Sequence, residues 1–77
     1  MQGPIFDYRK LRGRIVEMLG NQNKLASMLG ISLVSLSRKL NNKVRFSTDD
    51  IIVISDILEI PVTEIGVYFF TLKVSKS

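Results

Sequence analysis

The stretch that most constrains this chain runs from Gln22 to Asn41, QNKLASMLGISLVSLSRKLN. Leu25, Ala26 and Leu29 fall on one face of a first short helix, and Leu36 and Leu40 fall on one face of a second. Ala26 is the small residue that two closely crossing helices need. Gly30 stands between them, where a left-handed backbone would cost a residue with a Cβ about 1–2 kcal/mol. Ser32 follows as an N-cap, so the second helix starts at once. The order and spacing are those of a helix-turn-helix.

The flanking sequence extends the same helical pattern. Leu11, Ile15, Met18 and Leu19 recur at spacings of three and four, predicting a helix over about Asp7 to Leu19 that ends at Gly20-Asn21. The helix-turn-helix places further helices at about Gln22 to Leu29 and Leu33 to Asn41, with Asn41-Asn42 as a left-handed stop. Ser47 and Asp50 have capping-box spacing and open a fourth helix that reaches about Leu58. Its residues Ile51, Ile52, Val53, Ile54, Ile57 and Leu58 leave almost no polar side, so it is a central core helix or partly an interface. Pro61 resets the chain, and Val62 to Val67 fits a short fifth helix. From Phe69 to Val74 the period changes, with Phe70, Leu72 and Val74 on one side and Thr71, Lys73 and Ser75 on the other, the alternation of a half-buried strand. A lone strand must find backbone partners, and pairing with a second copy across a two-fold axis is favoured over a tail packed on its own core. The expected architecture is all-α, a five-helix bundle with a short C-terminal β-strand. Residues 1–5 are expected to be disordered, residues 6–68 to form the helix-turn-helix domain, and residues 69–77 to form the strand or tail, with Phe70, Leu72 and Val74 as the dimer interface.

Composition narrows the chemistry. With 77 residues the chain suits a single small domain, and with neither cysteine nor histidine it lacks thiolate ligands, disulfides and the usual general base. No enzyme, metal site or cofactor is expected, and a reducing cytoplasm is the natural setting. Asp49 and Asp50 suit the positive end of a helix better than a two-carboxylate site. No apolar run approaches the about 18 residues of a membrane span. The net charge of +4 is unevenly spread. Met1 to Arg45 carries nine Lys/Arg against Asp7 and Glu17, a balance of +7, while Phe46 to Ser77 carries two lysines against five acids, a balance of −3. A basic half containing the helix-turn-helix fits a nucleic-acid face, and an acidic half fits a solvent or partner face.

On the second helix of the pair, Val34, Ser37, Arg38 and Asn41 point away from the Leu36–Leu40 side and would enter a major groove. Arg38 is the one long donor in that set, able to fork onto a guanine or clamp a phosphate. Gln22 and Asn23 before it, and Lys43 and Arg45 after it, are placed for phosphates, with Lys39 a weaker candidate. The residues LASMLGIS and LSRKLNNK, preceded by DYRKLRGRIVEML and followed by EIGVYFFTLKV, resemble the small Cro-like regulators of temperate phages and prophages of Gram-positive bacteria. The resemblance spans about Phe6 to Val74 and implies a lambda-repressor-like bundle in a bacterial host, acting at the nucleoid as a lysis–lysogeny switch protein that binds operator DNA as a dimer. It also implies that Gln22 touches phosphate, that Ser32 to Val34 read base edges, and that Arg38 contacts bases or phosphates. Two departures stand out: Leu33-Val34 replaces the pair of polar base-readers common in relatives, and Asn42 replaces the glycine that usually follows the recognition helix.

Two functions are therefore expected from the sequence. The first is a dimeric Cro-like transcriptional regulator on double-stranded operator DNA, its half-sites about 34 Å apart. The alternative is an antirepressor-type module that inactivates a phage repressor by direct contact. In that case the Leu33-Val34 tip, the Ile51 to Leu58 helix and the exposed strand would be apolar contact surfaces, and Arg38, Lys43 and Arg45 would meet acidic groups on the partner.

Overall fold

Helix α1 (Arg9–Leu19) carries Leu11 and Ile15 into the centre of the molecule, where both are fully buried. The structure, a computed structural model, describes residues 3–73. After α1 come α2 (Gln22–Leu29), α3 (Leu33–Leu40), α4 (Thr48–Ile57), a 3-10 turn over Val62–Glu64 that runs directly into α5 (Ile65–Phe69), and an irregular end. Helix α1 packs on α2 and α5, α2 packs on α3 and α4, and α4 packs on α5. Leu25 and Ala26 of α2, Leu36 of α3, Ile54 of α4, and Leu58 and Phe69 close the core around α1. The described residues are thus all-α, as the helical periodicity predicts, and among them no helix is long and apolar enough to cross a membrane.

The ends of the helices follow from local chemistry. Asn21 caps α2, its Oδ1 accepting from the Lys24 N–H at 2.9 Å. Gly30 then adopts φ 71°, and the Ile31 N–H reaches back to the Ala26 carbonyl at 3.0 Å while the Gly30 N–H reaches Ser27 at 3.1 Å. This paired closure satisfies two carbonyls left over at the helix end. The same closure ends α3 through Asn42 at φ 62° and α4 through Glu59 at φ 54°. At the start of α4, Ser47 accepts from the Asp50 N–H at 3.0 Å and Asp50 accepts from the Ser47 N–H at 2.9 Å, so the expected capping box forms.

Among the described residues, the strand expected over Phe69–Val74 does not form. Phe69 completes α5 and is buried, and Phe70 is its C-cap. Leu72 makes one isolated antiparallel bridge with Phe6, framed by the Asp7 N–H to Thr71 carbonyl bond and the Lys73 N–H to Ile5 carbonyl bond, both 2.8 Å. Two of the backbone groups expected to need a second copy, the Thr71 carbonyl and the Lys73 N–H, are met by the chain's own N-terminal segment. Val74, the last residue expected in that strand, lies outside the described residues. Aromatic rings bind this corner together: Phe6 meets Phe70 edge-on at 5.8 Å, Tyr8 meets Phe46 at 5.3 Å, and Phe46 meets Phe69 at 5.5 Å.

Candidate interaction surface

Helices α2 and α3 and the turn between them present the residues that sequence reasoning singled out. Ser32 is the N-cap of α3, and its Oγ accepts from the Ser35 N–H at 3.0 Å. Leu33 and Val34, the first two residues of α3, are exposed, Val34 by 69%. They give the start of α3 an exposed apolar tip, and Met28 of α2 is exposed as well. Arg38 is exposed one turn further on, Asn23 is exposed at the start of α2, and Gln22 is half-buried beside it. Ser37 and Asn41 are tied to each other: the Asn41 amide nitrogen donates to the Ser37 carbonyl at 2.9 Å and to its Oγ at 3.2 Å. The Asn41 Oδ1 accepts from Arg12 at 3.0 Å. A base edge would have to compete with these bonds at Ser37 and Asn41, whereas Val34 and Arg38 are free to meet a partner.

The basic half of the chain is used largely for holding the fold together. Arg12 donates to the Leu40 carbonyl at the end of α3 at 3.0 Å. Arg14 donates to the Leu58 and Glu59 carbonyls at the end of α4, at 2.9 and 3.2 Å, and pairs with Glu17. Cations at the carbonyl end of a helix satisfy its last acceptors and its negative dipole. Lys39 pairs with Asp50 at 2.9 Å, joining α3 to the cap of α4. Burial pushes the Asp50 carboxyl up, but the bonds from Ser47 and Lys39 outweigh it and hold it below the usual carboxylate range. Arg9 pairs with Asp7, and Lys10 sits 5.0 Å above the Tyr68 ring. Lys39 is accordingly a bridge within the fold, and a phosphate would have to compete with Asp50 for it.

Arg45, expected to reach phosphate, is exposed and lies against the chain's N-terminal segment. Its guanidinium lies 5.0 Å over the Phe6 ring, donates to the Pro4 carbonyl and contacts the Asn42 Oδ1 at 3.5 Å. Burial raises the Tyr8 hydroxyl above its ordinary pKa, and the charge of Arg45 offsets part of that rise. Among the described residues, the cations of this half with no side-chain hydrogen bond, ion pair or ring contact are Lys24, Arg38 and Lys43. Carbonyl acceptors at helix ends have no sequence signature, which is why the commitment of Arg12 and Arg14 was not legible in the charge pattern. Of the expected dimer residues, Phe70 and Leu72 are exposed beside the Phe6 bridge.

Residues 4–72 match a family model described as protein of unknown function, DUF739. The chain belongs to the DUF739 family. This DUF739 member also matches the solution structure of the modulator of repression (MOR) of the temperate bacteriophage TP901-1 from Lactococcus lactis. The identity is 38%, the match covers 91% of this chain and 95% of that one, and the TM-score is 0.76. No curated protein matches it.

Proposed function

We propose that this protein is a phage or prophage antirepressor, which binds the DNA-binding domain of a phage repressor by direct contact and so keeps it off its operator. The observation that carries this reading is the likeness, over nearly the whole of both chains, to the modulator of repression of a temperate bacteriophage. The surface supports it. The apolar tip of Leu33 and Val34 suits a protein partner better than a sugar-phosphate backbone. Arg38, with Lys24 and Lys43, would pair with acidic groups at the rim of such a contact, where charges steer association. Arg45 keeps its place over Phe6 in this reading and takes no part. The protein would perform no chemistry and need no cofactor.

A Cro-like operator-binding dimer with a lambda-repressor-like bundle is the second reading. What favours it is Arg38 exposed on the outer side of α3, with two further free cations near it in sequence. Calorimetry with the purified DNA-binding domain of the repressor encoded beside this gene, together with anisotropy on its operator duplex, tests both. The expected result is a stoichiometric repressor complex that Val34→Asp weakens by about 2–4 kcal/mol, as loss of a central apolar anchor does. Selective operator binding that disappears in Arg38→Ala, with no repressor complex, would replace this reading with the second.

A further inference from the structure

A shallow groove of about 440 Å³ opens between the C-terminal half of α4 and the 3-10 turn, walled by Ile52, Ile60, Val62 and Ile65. It shares no lining residue with α2 or α3, so its occupation does not depend on the antirepressor role of that face. Ile52 and Val62 are 59% and 84% exposed, branched apolar side chains that nothing in the described fold covers. Ser55 also lines the groove, is only 5% exposed, and its hydroxyl finds no hydrogen-bond partner among the described residues. A hydroxyl in that position has given up water and gained no bond in return. Asp56 and Glu59 stand exposed on the rim. The ion pairs among the described residues leave both out, and Arg14 reaches only the Glu59 carbonyl.

We propose that this groove docks a basic amphipathic segment of a partner protein. An aliphatic side chain of the segment seats between Ile52 and Val62, and a neighbouring Lys or Arg lies over Asp56 and Glu59. Charge complementarity selects this occupant: the Asp56 and Glu59 carboxylates on the rim make no ion pair among the described residues and are left to meet a cation from a partner. A second copy whose two-fold axis passed through this rim would set Asp56 and Glu59 against their own images, like charge on like.

The test is a titration of the full chain, followed by ¹H–¹⁵N spectra, with a short amphipathic Leu/Lys peptide and with a Leu/Glu peptide of the same pattern. Saturable shifts are expected at the amides of Ile52, Ser55, Asp56, Glu59 and Val62 with the Leu/Lys peptide and none with the Leu/Glu peptide. Asp56→Lys combined with Glu59→Lys should weaken binding about tenfold or more. Val62→Asp, a change at the surface that leaves the core untouched, should abolish it. Shifts confined to α2 and α3, equal affinity for the two peptides, or a double charge reversal without effect would overturn the proposal. So would self-association in sedimentation that Val62→Asp removes while neither peptide binds, because the occupant would then be a second copy.

Discussion

Asn42 occupies a left-handed position at the end of α3 where glycine would be the easy choice, and its side chain explains the exception. The Asn42 Oδ1 accepts from the Phe6 N–H at 2.8 Å, and its Nδ2 donates to the Phe6 carbonyl at 2.9 Å. One side chain thereby satisfies both backbone groups of a residue 36 positions away and pins the N-terminal segment to the end of α3. Two substitutions separate the clamp from the backbone conformation. Asn42→Gly keeps the φ of 62° without strain but loses both bonds, and should cost about 1–3 kcal/mol. Asn42→Ala loses the bonds and adds the left-handed penalty, about 1 kcal/mol more. Urea denaturation of the two variants checks the gap. Glu59 is the converse case: at φ 54° it makes no side-chain bond to another described residue, since Arg14 uses only its carbonyl. Glu59→Gly should therefore stabilise the protein by about 0.5–1 kcal/mol in the same assay.

Helix α4 shows how an element can be secured at both ends and still leave a face open. Its start is held by the Ser47–Asp50 box and by Lys39, and its end by Arg14. The folded-state pKa of Asp50 is depressed, so its stabilising contribution is complete above the unfolded value near pH 4 and is lost as pH falls through the lower folded value. Asp50→Asn should lower stability at neutral pH by about 1 kcal/mol and flatten the acid limb of a stability-against-pH curve followed by circular dichroism. The cap was legible in sequence because Ser47 and Asp50 are three residues apart, and the bounds of α2 were legible because Asn21 and Gly30 sit at its ends. The terminal strand was misread for a physical reason. Alternation over Phe70, Leu72 and Val74 states which residues share a side but not which backbone will pair with them, and the partner, Ile5 to Asp7, carries no pattern of its own. The all-apolar reading of α4 did point to an open face: Ile54 is buried while Ile52 and Val53 are exposed.

For the whole molecule, the division of charge along the chain and the use of that charge are different matters. The sequence sets nine Lys/Arg in the first 45 residues, and the fold commits Arg9, Lys10, Arg12, Arg14, Lys39 and Arg45 to carbonyls, carboxylates or rings of the same chain. A cation bonded to a helix-end carbonyl keeps its charge, but a phosphate must compete with that carbonyl for its donors. If all nine met phosphates, the slope of log affinity against log salt would be about −8 per chain. With Lys24, Arg38 and Lys43 alone it should be no steeper than about −3, a loss of roughly 40-fold between 50 and 200 mM salt. Anisotropy on a random duplex at several salt concentrations gives that slope. A shallow one, with affinity too weak to compete with a repressor for its operator, is expected under the proposed antirepressor role. A slope near −8 would mean that the internal bonds of Arg12 and Arg14 open on contact, and those two arginines would then belong to a DNA face that forms only when DNA arrives.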